Sequence, residues 1–423
     1  MRFICFKSLA CLFCFYFNSR AKTFLVIQTL IAAILINMAT AGTIAPSLGA
    51  SRNLFAADIF QALAQTRSQE NVVFSPASIQ SCLALAFLGA EGETAQQLRS
   101  GLRLPTALDK ASIAADYAGF LQKNFHKATN AAEDAPKLRM ANRVYVSELL
   151  ELSAKFNELA KTSFESEAVP TKFADASTAV QTINTWVEKE TEGKITNLLQ
   201  PDAVNDDTSA ILVNAIYFKA KWLHPFSAFS TSDHEFRMSD GQTSSVSMMY
   251  GDERVKYGDL ADLDAKAIEL PYKNSDLSML VLLPNKVEGL AALEQKLANA
   301  DLNLIVERMR STSVDIFLPK FRIEFEVDLK QPLQQLGMVD MFSWSADFSS
   351  LFAASPQQKV DEVKHKAFLD VNEAGSEAAA ATFMKIVPMS LNLDQKVFKA
   401  DHPFVFAIRN REAVYFVGHV AKL

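Results

Sequence analysis

Cysteine is scarce in this chain, and most of it lies at one end. Three of the four cysteines, Cys5, Cys11 and Cys14, fall within the first 41 residues, and only Cys82 follows. Residues 42–423 therefore cannot form an intramolecular disulfide, so their stability must come from packing. Cys82 stands in an apolar helical stretch, where a free cysteine behaves as a small core residue. The Cys11-x-x-Cys14 spacing matches a redox motif, but its apolar context without a βαβ pattern argues against that chemistry.

Positive charge is also scarce. The formal net charge is −6, and the first 41 residues contain four basic residues and no acidic one, so residues 42–423 carry −10. Proteins that bind nucleic acid use a basic surface to neutralise phosphates. We therefore expect no nucleic-acid partner.

Short catalytic signatures are missing as well. The chain has no Gly-x-Ser-x-Gly elbow, no Walker loop and no Gly-x-Gly-x-x-Gly, and His234-Glu235 lacks the second histidine of a zinc-protease helix. No pair among the six histidines has metal-ligand spacing on one helix face. We expect no metal, no cofactor and no catalytic residue. A Ser-His-Asp triad needs no local signature, so an unrelated secreted hydrolase stays open as an alternative.

Residues 1–41 have the pattern of a secretory presequence. An apolar run at 3–17 contains Lys7, and a second run at 24–36 follows two basic residues and leads to Ala39-Thr40-Ala41, a small-x-small cleavage site. Cleavage after Ala41 would release a secreted, extracellular protein with no stable membrane association. A signal anchor is the alternative, although the second run is shorter than the roughly 20 residues that span a bilayer.

The start signals of three helices stand in the first half of the remaining chain. Apolar residues recur every four positions from 55 to 63, with Asn53 as the expected cap. Ser75-Pro76 then begins a second helix, with the serine as cap and the proline in the first turn, and Gly89 is placed to end it. Thr94-x-x-Gln97 predicts a capping box for the short helix that follows.

The later chain is richer in strand patterns. Residues 210–218 and 278–283 are nearly all apolar, as expected of strands covered on both faces. Residues 321–327 alternate between apolar and charged side chains, the pattern of a strand with one wet face. With more strand pattern at 404–420 and no repeat, linker or long charge run, residues 42–423 are expected to form one α+β domain.

Several short segments along residues 50–423 share an order and spacing with one family. They are Asn71-Val-Val-Phe-Ser-Pro-Ala-Ser-Ile79, Asn184-Thr-Trp-Val187, Leu212-Val-Asn-Ala-Ile-Tyr-Phe-Lys219, Glu269-Leu-Pro-Tyr272, Leu318-Pro-Lys-Phe321, Val371-Asn-Glu373 and His402-Pro-Phe404. Together they resemble the serpins, a family of serine protease inhibitors. The resemblance implies a monomeric single-domain serpin fold of class α+β, with about three β-sheets, eight to nine helices and an exposed reactive-centre loop at residues 373–399.

The loop contains a run of alanines, which alone would favour a helix. With a period of two, however, Ser376, Ala378 and Ala380 share one uncharged face, while Glu377 and Lys385 fall on the other. Small side chains on one face are what a segment needs to enter a packed sheet as a new central strand. The resemblance assigns the hinge of that insertion to Glu373, Gly375, Ser376, Ala378, Ala379, Ala380 and Ala381. Ala374 departs from the charged residue usual in inhibitory members.

The bond offered to a protease is placed by the same resemblance. Taking Glu373 as the hinge glutamate, which is the seventeenth residue before the bond, gives Met389-Ser390. The medium-sized apolar methionine implies a neutral specificity pocket, so the expected partners are elastase-like or chymotrypsin-like serine proteases. Lys385 is the rival bait residue.

Two further groups of residues match the family. The polar cluster beneath the main sheet, where strands part to admit the loop, is matched by Ser75, Ser78, Asn214 and His365. An ion pair at the loop's entry point is matched by Lys320 and Glu373, with Trp222 packed beside them. The alternative for each polar residue is a helix cap or the partner of a buried backbone group.

Two functions follow from the resemblance. The first is a suicide-substrate inhibitor, in which a protease cleaves the loop and the loop inserts while the enzyme is still attached. The second is a non-inhibitory serpin acting as carrier, chaperone or storage protein. The hinge separates them, because non-inhibitory members commonly have bulky, charged or proline residues on the inserting face, and residues 376–380 have none there.

Overall fold

Helices make up most of the regular structure before residue 190, and strands most of it afterwards. The computed structural model describes residues 48–125, 136–298, 300–353, 358–376 and 395–423. In these ranges the α-helices are α1 (Leu48–Ala64), α2 (Pro76–Gly89), α3 (Gly92–Gly101), α4 (Lys110–Asn124), α5 (Ala154–Phe164), α6 (Ala176–Glu190), α7 (Leu290–Leu297), α8 (Leu302–Arg308) and α9 (Lys330–Gln335). None of these helices is both long and apolar enough to cross a bilayer.

The strands lie mainly in the second half and include those predicted around 210, 278 and 321. They are β1 (Val72–Phe74), β2 (Lys137–Ser147), β3 (Ala168–Thr171), β4 (Ala210–Lys221), β5 (Ser232–Arg237), β6 (Thr243–Leu260), β7 (Ala265–Pro271), β8 (Ser278–Pro284), β9 (Arg310–Pro319), β10 (Phe321–Asp328), β11 (Glu362–Asn372), β12 (Gly375–Ser376), β13 (Lys396–Lys399), β14 (Phe404–Arg409) and β15 (Val414–Val420). Along β10 buried and exposed residues alternate, which confirms the predicted wet face.

The second helix, α2, begins as the sequence predicts. Ser75 is its N-cap, with Oγ accepting the amide N–H of Ser78 at 3.2 Å, and Pro76 is its first residue. The helix ends at Gly89, and all of its side chains are buried. Burial raises the pKa of the Cys82 thiol to about 12, so this cysteine is a core residue.

Asn53, the predicted cap of the first helix, lies inside α1, so that prediction is wrong. Tertiary contacts hold the described part of α1 that precedes Asn53. Ser51 Oγ donates to the carbonyl of Arg103 at 2.6 Å, and Arg52 pairs with Asp116 at 2.7 Å. These partners lie 52 and 64 residues away, so no local sequence pattern predicts these contacts.

The predicted capping box at Thr94 is also wrong. Thr94 lies within α3, whose N-cap is Glu91, and the cap makes no side-chain bond. The Thr94 hydroxyl instead donates to the carboxylate of Asp340 and accepts the amide N–H of Asp347 at 2.9 Å. A distant segment has therefore taken the hydroxyl that a capping box would use.

The described strands form two hydrogen-bonded networks, the larger of which is continuous through one long strand. The larger runs β1-β15-β14-β8-β7-β6-β9-β13, with β5 paired to β6, and the smaller runs β10-β11-β12-β4-β2-β3. The 18-residue strand β6 joins regions that would otherwise be separate, because it pairs with β5 at its start, with β9 through its middle and with β7 at its end.

Strand β4 is the buried centre of the smaller sheet. One face, with Val213 and Tyr217, packs on α6 in a buried cluster that includes Ile183. The other face, with Leu212 and Phe218, belongs to the main core that contains α2. The apolar pattern of this strand follows from burial on both sides, as the sequence predicts.

Candidate functional site

A two-residue strand, β12, lies between β4 and β11 at one end of the smaller sheet. Ser376 pairs with Val371 of β11 and with Ala220 of β4, both antiparallel. Farther along, β4 and β11 pair directly with each other in parallel, from Glu362–Ile211 to Phe368–Tyr217. Gly375 and Ser376 therefore occupy the open end of a gap that closes below them.

Gly375 is required at its position. Its φ is 152°, and a Cβ placed there would lie 2.0 Å from the carbonyl oxygen of Ala220. A Cβ contact that short does not occur in proteins, so β4 would have to move to admit any side chain.

Ser376 is buried completely. Its Oγ lies 2.8 Å from the hydroxyl of Tyr272, which is itself buried. The Tyr272 ring stacks on Trp222 with centroids 4.6 Å apart and an interplanar angle of 10°, and Phe218 meets it edge-on at 5.1 Å. Burial raises the pKa of the Tyr272 phenol far above its usual range, although the Ser376 hydroxyl acts in the opposite direction. The contact is thus one between two neutral hydroxyls.

Glu373 lies at the entry to the gap. Its carboxylate is 3.0 Å from Lys320 Nζ and accepts the hydroxyl of Thr231 at 2.9 Å. Burial acts to raise the pKa of Glu373, but its own backbone amide, Lys320 and Thr231 hold it below the usual range. The pair is partly solvated, so it contributes only about 0–1 kcal/mol to stability.

Trp222 fixes the backbone that leads into the hinge. Its indole N–H donates to the carbonyl of Asn372 at 3.0 Å, and its backbone N–H donates to the carbonyl of Ala374 at 3.0 Å. The side chain of Ala374 is buried, so the departure from the family's charged residue places a small apolar group against the core.

A polar row, made of Asn142, Asn214 and His365, crosses three neighbouring strands of the smaller sheet. Asn142 of β2 lies opposite Asn214 of β4, which lies opposite His365 of β11. Asn214 Nδ2 donates to Ser78 Oγ at 2.6 Å and contacts Asn142 Oδ1, while its Oδ1 meets His365 Nδ1. His365 Nε2 accepts the backbone N–H of Ser75 at 3.1 Å.

The polar row is uncharged. Burial lowers the pKa of His365 to about 3, and its accepting Nε2 places the ring proton on Nδ1, toward Asn214. The row lies on the strand pair β4–β11, and the N-terminus of α2 packs against it. Strand separation there would exchange hydrogen bonds without exposing a buried charge.

The predicted site residues that the structure describes form two groups at different positions along β4. Ser75, Ser78, Asn214 and His365 form one bonded group, and Lys320, Trp222 and Glu373 surround Gly375 and Ser376. Ala378, Ala379, Ala380, Ala381, Lys385, Met389 and Ser390 lie outside the described residues.

Sequence reasoning missed two residues of the site. Asn142 is a polar residue inside a largely buried strand. A polar side chain among apolar neighbours indicates a hydrogen-bonded group in the core, so the sequence could have identified it. Tyr272 closes the quoted segment Glu269-Leu-Pro-Tyr272, but nothing local indicates that its hydroxyl meets Ser376, 104 residues away.

Comparison with known proteins finds relatives along most of the chain. A family model described as Serpin (serine protease inhibitor) matches residues 50–423. Serine protease inhibitor 42Dd of Drosophila melanogaster is 40% identical over 365 residues, covering 86% of this chain and 94% of that protein. Leukocyte elastase inhibitor of Bos taurus is 36% identical over 386 residues, covering 88% and 99%.

Solved structures give the same result. Serpin48, a highly specific serpin of the insect Tenebrio molitor, matches with a TM-score of 0.80 at 31% identity, covering 90% of this chain and 99% of that one. Human thyroxine-binding globulin complexed with thyroxine matches with a TM-score of 0.79 at 27% identity, covering 89% and 98%. These matches confirm the α+β serpin fold predicted from the sequence. The chain belongs to the serpin family of serine protease inhibitors.

Proposed function

We propose that this protein is a secreted suicide-substrate inhibitor of elastase-like or chymotrypsin-like serine proteases and not an enzyme. The observation that carries the proposal is β12, since Gly375 and Ser376 already pair with both strands that the loop would have to separate. Small size and burial at Ser376 suit a residue that leads a new strand into the sheet.

The proposed reaction begins as ordinary proteolysis. The serine Oγ of the protease attacks the carbonyl carbon of Met389, the peptide bond to the nitrogen of Ser390 breaks, and the new amine leaves with the C-terminal part. An ester then joins Met389 to the enzyme. If the loop inserts before water hydrolyses that ester, the enzyme stays bound.

Insertion would continue the pairing that β12 starts. The parallel ladder between β4 and β11 opens, and about a dozen new backbone hydrogen bonds contribute on the order of 6–18 kcal/mol. Residues 373–389 span roughly 56 Å when extended, far longer than a typical strand. An enzyme attached at Met389 would therefore be carried along the sheet and distorted.

The target class and the compartment rest on local features. Met389 is apolar and unbranched, which suits the neutral pockets of elastase-like and chymotrypsin-like enzymes. A relative is named leukocyte elastase inhibitor. The presequence pattern of residues 1–41 supports secretion.

The test is incubation of the purified protein with a panel of such proteases. We expect a 1:1 covalent adduct that survives SDS and that does not form when the protease's catalytic serine is chemically blocked. Mass spectrometry should find the new amine at Ser390. Complete cleavage after Met389 with no adduct for any enzyme of the panel would contradict the proposal.

A cavity favours a carrier as the second candidate. It measures about 380 Å³, within the range of small-molecule sites, and lies between α1, the α7–α8 connection and strands β8, β14 and β15. Its apolar lining includes Ala57, Phe60, Leu282, Leu302, Val405 and Val417. A serpin with a bound small molecule, thyroxine-binding globulin, is among the matching structures.

The carrier candidate has its own test. Titration with N-phenyl-1-naphthylamine, a neutral fluorescent probe, should give saturable binding that Ala57→Trp abolishes by filling the cavity. Exposed Ala228→Trp serves as the control and should leave the titration unchanged. Equal probe signals from the parent and Ala57→Trp would reject the cavity as a ligand site.

A further inference from the structure

We infer that Tyr272 is a positioning residue for the proposed inhibition. Its hydroxyl holds Ser376 in the sheet, so the first residues of the loop are already inserted before a protease cleaves it. This inference rests on the proposed function. Tyr272 lies outside the loop and does not touch the reactive bond assigned at Met389. It contacts the hinge through one atom pair, the Tyr272 and Ser376 hydroxyl oxygens at 2.8 Å.

Tyr272 cannot follow the hinge if the hinge leaves the sheet. Its ring is clamped between Trp222 and Phe218, and its backbone N–H donates to the carbonyl of Leu277 at 3.0 Å. Among the described residues, Ser376 is the hydrogen-bond partner of the phenol. Withdrawal of Ser376 would leave a buried hydroxyl without a partner, which is costly in a protein interior.

The loop has three states to compare: the hinge withdrawn from the sheet, the hinge paired as β12, and the loop fully inserted. The contact between Tyr272 and Ser376 stabilises the last two. It exists with the hinge at β12, and it would persist after full insertion, because Ser376 would already occupy its final place between Ala220 and Val371. The contact is lost only when the hinge is withdrawn. The phenol therefore biases the hinge toward the state from which insertion proceeds. Fewer inhibitor molecules are then cleaved and released by hydrolysis for each enzyme that is trapped.

The first test needs no protease. Hydrogen exchange of the backbone amides around Ser376 should become about tenfold faster in Tyr272→Phe, the size expected for one lost hydrogen bond. Tyr117→Phe is the matched control, because Tyr117 is equally buried but its hydroxyl has no hydrogen-bond partner in the described residues. Unchanged exchange in Tyr272→Phe would overturn the inference, whether or not the protein inhibits any protease.

The second test is a double-mutant cycle with the inhibition stoichiometry as readout. Tyr272→Phe and Ser376→Ala should each raise the number of inhibitor molecules consumed per trapped enzyme about threefold. The double variant should resemble either single variant, since both remove the same contact. Multiplying effects would show that Tyr272 acts through general stability and not through Ser376. Absence of adducts from the parent protein would instead reject the proposed function.

Discussion

Asn214 and His365 face each other across the parallel strands β4 and β11, with the ring Nδ1 of His365 against the amide oxygen of Asn214. The other ring nitrogen accepts the N–H of Ser75. A protonated ring would have no acceptor for its second proton, and burial lowers the pKa of His365 to about 3. The closed sheet therefore needs a neutral histidine.

The free energy of unfolding should fall as the pH is lowered below about 6.5, before most carboxylates titrate. An unfolded histidine takes up a proton near its usual pKa of 6.5, whereas burial lowers the pKa of His365 in the folded state to about 3. Between these values the unfolded state binds more protons, so the free energy of unfolding falls as pH falls, by at most about 1.4 kcal/mol per pH unit. Urea midpoints between about pH 7.5 and 4.5 measure this slope.

Two variants isolate the contribution of His365 to that slope. His365→Gln keeps a neutral hydrogen-bonding side chain and should flatten the pH dependence, even if its stability at neutral pH is lower. His224→Gln, at an exposed position, should retain the slope of the parent. An equal slope in the parent and His365→Gln would show that another group titrates in this range.

Ser376→Arg should convert the inhibitor into a substrate. Ser376 is fully buried between β4 and β11, and an unpaired guanidinium there would cost several kcal/mol, so insertion would stop at its first residue. We expect cleavage to continue while the yield of SDS-stable adduct falls at least about tenfold. Densitometry of adduct and cleaved protein measures the partition.

Glu377→Arg is the control for that experiment. The alternation of the loop places residue 377 on the face opposite Ser376, so a charge there need not enter the core. This variant should trap enzyme nearly as well as the parent. Trapping by Ser376→Arg at the level of the parent would mean that Ser376 need not enter the sheet.

The regular elements were predictable where the signal was local. Ser75 and Pro76 start α2 as predicted, since both act within one helical turn, and β10 alternates because one face is wet. The predictions of a helix cap at Asn53 and of a capping box at Thr94 were wrong for a common reason. Contacts with residues more than 50 positions away hold the part of α1 before Asn53 and engage the Thr94 hydroxyl.

The candidate site was predictable as a set of residues but not as a geometry. The resemblance supplied Asn214 and His365, yet their alignment with Asn142 depends on the register of three strands distant in sequence. The contact of Tyr272 with Ser376 depends likewise on how β12 enters the sheet. Such relationships follow from tertiary packing, which local patterns do not encode.

Met389→Arg should change the class of protease that is inhibited. Trypsin-like enzymes bind a basic side chain in an acidic pocket, whereas elastase-like and chymotrypsin-like pockets lack that partner charge. We expect association rates to rise about a hundredfold or more for trypsin-like enzymes and to fall for the others. Lys385→Gln should change neither rate. Loss of inhibition in Lys385→Gln with no effect of Met389→Arg would make Lys385 the bait residue.

Thr382 should complete the polar row after insertion. Ser376 lies opposite Ala220 and Val371, so a strand continuing in that register places Thr382 opposite both Asn214 and His365. Separation of β4 from β11 removes the Asn214–His365 contact and leaves one donor and one acceptor facing the new strand. A hydroxyl can accept from His365 and donate to Asn214 at the same time.

Thr382→Val keeps the shape of the side chain but removes that hydroxyl, so two buried groups would lose their partner. We expect the thermal midpoint of the cleaved, inserted form to fall and the inhibition stoichiometry to rise about fivefold, as for the loss of about 1 kcal/mol. Thr382→Ser, which keeps the hydroxyl, should stay close to the parent in both measurements. Equal behaviour of the valine and serine variants would show that the inserted strand adopts another register, because in the register of β12 only the hydroxyl at residue 382 reaches the polar row.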